Sequence, residues 1–143
     1  MLYPIAIEKG DSSFGVQVPD VPGCFSGGET IQEAMESAKE AIYAHLELLL
    51  EVNEELPLAT SVENYLDDPD FQGLTWALVD IDVTQLLGKA EKINVTLPSL
   101  LIRKIDLHVA NHQQDYGSRS GFLAKVAAER VLQRKQWDGL LLT

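Results

Sequence analysis

The repeat of apolar positions in the first half of the chain changes from strand-like to helix-like. The segments YPIAI and FGVQV are rich in apolar and β-branched residues and flank the turn-forming stretch EKGDSS, so both predict strands. After the proline-rich turn PDVPG, the stretch CFSGGE predicts a short third strand. A helix is predicted from Thr30 to near Asn53, because the apolar residues then recur every three or four positions: Ile31, Ala34, Met35, Ala38, Ile42, Leu46 and Leu49.

Two further signals define the start of this helix and the strand that follows it. The stretch TIQE matches a capping box, in which Thr30 accepts a hydrogen bond from the amide of Glu33 and Glu33 reaches back to the amide of Thr30. After the less regular residues 53–73, the alternation in LTWALVDIDV predicts a fourth strand over residues 74–83. The predicted order β-β-β-α-β indicates an α+β layer.

The last part of the chain reads as one strand followed by two helices. In KINVTLP, the apolar residues Ile93, Val95 and Leu97 alternate with the polar residues Lys92, Asn94 and Thr96, as in a strand with one apolar face. Apolar residues at helical spacing then predict one helix on Leu101, Ile102, Ile105 and Val109. Past the break at DYG, they predict a second helix on Phe122, Leu123, Val126, Ala127 and Val131, with Ser118 as its cap.

Charge divides the chain near Gly88. The 143 residues carry a formal charge of −11, but residues 1–88 carry −15 and residues 89–143 carry +4. This asymmetry predicts two domains with those bounds and with different partners, because the acidic part attracts a basic protein and the basic part can approach a phosphate backbone. The alternative is that the acidity serves solubility alone. A connector around residues 84–90 is expected to act as a spacer.

The predicted strand of the second domain requires a second copy of the chain. Residues 91–137 are too few to enclose a good core, and a lone strand leaves its backbone groups unpaired. Two copies of Lys92–Pro98 can pair antiparallel, with Ile93, Val95 and Leu97 in a shared dimer core. The opposite face then forms a two-stranded ribbon that fits the major groove of DNA. The alternative is a solvated strand face.

The segments KINVTLP, LLIRKID and GSRSGFLAKVA resemble the ribbon-helix-helix repressors. The resemblance implies that Lys92, Asn94 and Thr96 read bases, and that Ser118, Arg119 and Ser120 clamp a phosphate. Independently of the resemblance, the free amides and the dipole at a helix start favour an anion. On the alternative reading, Arg119 is an ordinary surface arginine.

The segments YPIAIE, VPDVPGCFSGGETIQEAMESAKEAI and LPLATS resemble the N-terminal domain of HicB-type antitoxins. The resemblance implies a degraded RNase H-like fold without activity that binds a HicA-type toxin, a small basic mRNA interferase. It also implies that the antitoxin represses its own operon by binding operator DNA. The expected architecture is therefore α+β, with an RNase H-like domain followed by a dimeric ribbon-helix-helix domain. The homodimer could pair further into a tetramer.

The chain offers weak signals for catalysis or for cofactors, so neither is predicted. Asp80 and Asp82 share a strand face, but no carboxylate lies mid-strand in YPIAI, as metal-dependent RNase H chemistry needs. His108 and His112 have a metal-binding spacing without a neighbouring cysteine, so solvated or half-buried histidines are favoured. The lone Cys24 suits a reducing cytosol and reads as a packed residue, and neither a signal peptide nor a membrane span is evident.

The sequence leaves two alternative functions open. One is a stand-alone ribbon-helix-helix repressor whose acidic domain senses a small ligand, and the other is a metal-dependent RNase H-like nuclease. Trp76 is expected in the core of the first domain. Trp137 is expected to cover the edge of the dimer.

Overall fold

The computed structural model describes residues 1–132 and divides the chain into two compact units. The first unit is Met1–Asp82, and the second begins at Val83. The division therefore falls before the boundary predicted near Gly88. The difference arises because Val83–Leu86 forms a turn of 3-10 helix that contacts the last helix among the described residues, so the start of the predicted spacer is packed.

The first unit is a four-stranded antiparallel sheet with one long helix. The strands are β1 (Leu2–Lys9), β2 (Phe14–Gln17), β3 (Phe25–Gly28) and β4 (Thr75–Asp80), and the helix α1 (Ile31–Glu51) lies between β3 and β4 in the chain. The strand order is β3-β2-β1-β4, and every neighbouring pair is antiparallel. The predicted β-β-β-α-β order and the α+β class are thus confirmed.

One face of the sheet packs against α1. Ile7 pairs with Val16 and Tyr3 with Val79, which places these apolar residues on the same face. The helix contributes its four fully buried residues, Ala34, Ala38, Ile42 and Leu46, as its spacing predicts. The close approach of α1 to β3 depends on Gly28, because a Cβ there would lie only 2.5 Å from the amide nitrogen of Ala34.

The start of α1 differs in two details from the prediction. Thr30 Oγ1 accepts a hydrogen bond from the Glu33 amide at 3.1 Å, as in a capping box. The Glu33 carboxylate, however, accepts from the amide of Glu29 at 3.0 Å instead of from that of Thr30. Ile31 was predicted to be buried but is 46% exposed, because it is the first residue of the helix and lies beyond the edge of the core.

The opposite face of the sheet is covered in part by the segment between α1 and β4. This segment contains two short 3-10 helices, Val62–Tyr65 and Pro69–Phe71. The rings of Tyr65 and Phe71 lie with centroids 5.9 and 5.5 Å from that of Trp76, which is half-buried on β4. Pro4 and Ala6 are also buried on this face of β1. The inner strand β1 is therefore buried on both faces.

In the described part of the second unit, the 3-10 turn Val83–Leu86 is followed by residues 87–98, which are neither helix nor strand, and then by helices. The helices are α2 (Ser99–Asn111), the single turn α3 (Gln113–Tyr116) and α4 (Arg119–Leu132). Four helical residues are buried: Val83 in the 3-10 turn, Ile105 and Val109 on α2, and Ala128 on α4. The apolar stripes predicted on α2 and α4 are only partly buried among the described residues. The predicted break at DYG is confirmed by Gly117, whose φ is +72°.

Residues 92–98 do not form a strand in the single chain, because no described strand lies beside them to pair with. Trp137 lies outside the described residues. Among the described residues, no helix combines the length and the apolar character that crossing a membrane requires.

Tyr3 provides a test of the first unit's core. Burial, and secondarily the charge of Asp20, raises the pKa of Tyr3 from 10.0 to about 12, and the Tyr3 hydroxyl donates to the Pro57 carbonyl at 2.6 Å. Because the folded-state pKa lies above the unfolded-state value, the stabilisation is fully present below pH 10 and is lost as pH rises through about 12. We expect the free energy of unfolding to fall by roughly 2 kcal/mol across this interval.

Chemical denaturation at a series of pH values measures this loss, and Tyr3→Phe is the control. The variant should be less stable at neutral pH, because the Pro57 carbonyl loses its donor. It should also show a smaller decline above about pH 10, the unfolded-state pKa of tyrosine. An unchanged decline in the variant would contradict the assignment to Tyr3.

Candidate functional site

The predicted base-reading residues lie on an exposed segment that leads into α2. Lys92, Asn94 and Thr96 are all exposed. On the alternating positions, Ile93 is 76% and Val95 58% exposed, whereas Leu97 is half-buried. Two large exposed aliphatic side chains on one short segment indicate an apolar surface that residues 1–132 do not cover.

Pro98 fixes the junction between this segment and α2. It occupies the N-cap position with φ −57° and ψ 139°, so the backbone is extended up to the helix start. Its carbonyl accepts the first helical hydrogen bond, from the Ile102 amide at 3.1 Å. Proline suits this place because it has no amide hydrogen to leave unpaired and disfavours helix at the preceding residue.

The predicted phosphate-binding residues begin α4. Ser118 is the cap, since its Oγ accepts from the Gly121 amide at 3.0 Å and its carbonyl accepts from the Phe122 amide at 3.0 Å. Ser118, Arg119 and Ser120 are exposed. Gly121 is required at this turn, because a Cβ would collide with the carbonyl oxygen of Tyr116. The structure thus brings the three residues together at one exposed helix start.

Arg119 already has a partner, which the sequence alone does not reveal. Its Nε and one terminal nitrogen donate to the two carboxylate oxygens of Asp106 on α2, at 2.8 and 2.6 Å. The hydrogen bond from Arg119 lowers the pKa of Asp106, and the same contact raises the pKa of Arg119. The signal in the sequence is weak, because the two residues are far apart in the chain and meet only when α2 and α4 lie side by side.

An aromatic cluster is formed by residues of α2, α4 and the residues between them. The rings of His108 and His112 stack with centroids 4.3 Å apart, and Tyr116 lies against His108 and Phe122. Lys125 Nζ lies 5.6 Å from the centre of the Tyr116 ring. Among residues 1–132 no group of three or more His, Cys, Asp or Glu side chains is arranged to hold a metal ion. Both histidines take part in ring packing, as the stacked pair and the contacts of His108 with Tyr116 and Phe122 show.

In the first unit, Asp20 of the PDVPG turn connects the turn to the segment that covers the sheet. Its carboxylate accepts from the Thr60 amide at 2.7 Å, from the Thr60 hydroxyl at 2.8 Å and from the Tyr65 hydroxyl. Burial and the contact with Asp20 raise the pKa of Tyr65. The turn itself is closed by backbone bonds, including one from the Cys24 amide to the Val21 carbonyl at 3.0 Å. Asp20 thus has a structural role that the motif alone did not reveal.

The sheet face opposite α1 exposes apolar side chains beside acidic ones. Leu2 and Leu78 are exposed on this face, and Leu66 is exposed on the covering segment. Asp80 pairs across the sheet with Leu2, and its carboxylate lies 3.3 Å from the N-terminal ammonium. We call the exposed side chains of Leu2, Leu66, Asp67, Asp70, Leu78 and Asp80 the acidic-apolar surface. The sequence pattern alone assigns no role to most of these positions.

Cys24 is buried, and burial raises the pKa of its thiol. The burial confirms that Cys24 is a packed residue. The direction of the pKa shift is opposite to the one that a nucleophilic cysteine needs.

Comparison with known proteins gives the family. Residues 3–127 match the family described as HicB-like antitoxin of bacterial toxin-antitoxin systems. An uncharacterised 14.9 kDa protein from the rep-hol intergenic region of Haemophilus phage HP1 is 51% identical over 132 residues, which cover 92% of this chain and 98% of the phage protein.

Two solved structures extend the comparison. The Burkholderia pseudomallei antitoxin HicB is 44% identical with a TM-score of 0.80, over 91% of this chain and 98% of that one. A chain in the complex of the toxin HicA3 with the antitoxin HicB3 is 35% identical with a TM-score of 0.52, over 57% of this chain and 99% of that one.

The predicted family, and the prediction that the protein is not an enzyme, agree with these matches, since the matching family and both solved structures are of antitoxins. The length of the family match and the similarity to a whole antitoxin lead to one conclusion: the chain belongs to the HicB-like antitoxin family of bacterial toxin-antitoxin systems.

Proposed function

We propose that this protein neutralises a HicA-type toxin with its first unit and represses its own operon with its second. The toxin is a small basic mRNA interferase, and neutralisation is by binding alone, without catalysis. Both partners act where mRNA and operon DNA are found, so the proposed location is the cytoplasm. The observation that carries the proposal is the opposite charge of the two parts, −15 and +4, within one antitoxin chain.

The first part is suited to a basic protein partner. Its acidic-apolar surface combines exposed leucines with exposed carboxylates, which supports both burial and charge complementarity at an interface. The related HicB3 is solved in complex with HicA3, which supports the same kind of partner here. The β-β-β-α-β order supports the likeness to a degraded RNase H fold.

The second part is proposed to be a ribbon-helix-helix dimer. Ile93 and Val95 are exposed, and the two following long helices carry further exposed apolar side chains: Leu100, Leu101 and Leu107 on α2, and Val126 and Val131 on α4. A second copy would pair the two 92–98 segments into a ribbon and cover these residues together. Two such dimers could associate further into a tetramer.

In this dimer the polar face of the ribbon is directed to the major groove. Lys suits guanine, Asn suits adenine, and Thr can contact a thymine methyl, so Lys92, Asn94 and Thr96 are proposed to read operator bases. Ser118, Arg119 and Ser120 are proposed to bind phosphate at the start of α4.

The toxin-binding proposal predicts that residues 1–88 bind the toxin without the DNA-binding part. The test is calorimetry with the small basic protein encoded beside this gene, using the full chain and residues 1–88. Both should bind, and raised salt should slow association more than it speeds dissociation. The control is the full chain with Val95→Asp, which keeps the first unit intact and should bind equally well. A folded 1–88 fragment that gives no binding heat would contradict the division of roles.

The dimer proposal predicts that Val95→Asp yields a monomer. Val95 is 58% exposed in the single chain, so the charge costs little there, whereas in the dimer core it would be buried without a partner. Light scattering at micromolar concentration measures the mass. Asn94→Ala, on the opposite face of the segment, is the matched control and should remain dimeric. A wild-type monomer, or a dimeric Val95→Asp variant, would show that the segment does not mediate pairing.

The DNA-binding proposal predicts different effects for Asn94→Ala and Arg119→Ala. Removal of the Asn94 amide should cost about 1–3 kcal/mol on operator DNA and relax the preference at one base pair per half-site. Removal of the Arg119 guanidinium should weaken binding to all sequences alike. It should also reduce the salt slope by about one for each phosphate that is no longer neutralised.

Salt titrations on the operator and on random DNA separate these two effects. Equal weakening of both DNAs by Asn94→Ala would argue against base reading. A change confined to the operator in Arg119→Ala would argue against binding of a phosphate by Arg119.

A further inference from the structure

Asp106 is bonded to the guanidinium group of Arg119, which is the group that the proposed phosphate contact requires. The arginine presents two parallel N–H groups to two carboxylate oxygens at 2.8 and 2.6 Å. A phosphate offers the same arrangement of two oxygens, and arginine recognises carboxylate and phosphate with one fork geometry. The carboxylate of Asp106 therefore lies where two oxygens of a DNA phosphate would bind.

The surroundings of the pair favour exchange of one anion for another. Both side chains are 48% exposed, so the pair can open to solvent without disturbing the core. Asp106 is the single acidic residue of α2, which also carries Arg103 and Lys104. An exposed pair of this kind contributes little to stability, so its effect on folding is minor compared with its effect on a competing anion.

We propose that Asp106 is an intramolecular competitor for the phosphate site of Arg119, so that DNA binding exchanges the carboxylate for a phosphate. This inference rests on the proposed DNA-binding function and assigns a regulating residue to the same site. The exchange weakens binding to every DNA sequence equally, because a phosphate carries no sequence information. Asp106 thus lowers the affinity for operator and random DNA by the same factor. It leaves the discrimination between sequences by Lys92, Asn94 and Thr96 unchanged.

The test compares six full-length proteins in salt titrations. They are the wild type, Asp106→Asn, Arg119→Ala, the double variant of these two, Asp115→Asn, and Asp115→Asn combined with Arg119→Ala. Each is measured on a duplex from directly upstream of the chain's own reading frame and on a scrambled duplex of the same composition. Asp115→Asn is the matched control, because it removes one exposed negative charge from the same unit without contacting Arg119.

Asp106→Asn should bind both duplexes more tightly than the wild type, by about two- to fivefold for each protomer, the range of an exposed ion pair. Its salt slope should also steepen, because the freed arginine neutralises the phosphate more fully. The substitution should have no effect in the Arg119→Ala background. Asp115→Asn should give a smaller change that persists in that background.

Three results would overturn the inference. Weaker DNA binding by Asp106→Asn would mean that the carboxylate positions Arg119 for phosphate instead of competing with it. An equal gain with and without Arg119, or a gain no larger than that of Asp115→Asn, would mean that only net charge matters. If the wild type binds neither duplex at low salt, the proposed DNA-binding function fails together with the inference. In the other cases the wild type still binds DNA, so only the competition by Asp106 fails.

Discussion

Burial of the inner strand β1 on both faces is the constraint on which the first unit depends. β1 lies between β2 and β4, and its residues from Tyr3 to Ile7 are all buried. One layer cannot cover both sides of a strand, so α1 packs on one face and the segment before β4 packs on the other. Asp20 holds that segment through Thr60 and Tyr65, which explains why a carboxylate within a proline-glycine turn matters to the fold.

The same arrangement directs the acidic residues outward. The core of the first unit takes only apolar and aromatic side chains, and none of the described buried residues is charged. The 17 carboxylates of residues 1–88 therefore remain near the surface, where they generate the field that suits a basic partner. Stability and partner choice are thus separated: the strand pattern fixes the core, and the residues between the apolar positions set the charge of the surface.

The second unit differs, because its described residues leave several large apolar side chains exposed. Ile105, Val109 and Ala128 form a small core, while Ile93 and Val95 stay in water. In the proposed dimer a second copy would cover these two side chains and would also supply hydrogen bonds to the 92–98 backbone. In this unit folding and assembly are proposed to be one process, whereas the first unit has a complete core of its own.

The sequence by itself determined the order of strands and the helix of the first unit, the buried spacing of α1 and the cap of α4. These depend on local periodicity and on hydrogen bonds between near neighbours in the chain. It also identified the family through the PDVPG turn and the helix start that follows it. Only the tertiary structure decided what Asp20 and Arg119 contact, because Thr60, Tyr65 and Asp106 are distant in sequence and have no periodic relation to them. The division of the units at Asp82 has the same cause, since the packing of Val83–Leu86 against α4 is a long-range contact that a reversal of charge near Gly88 cannot reveal.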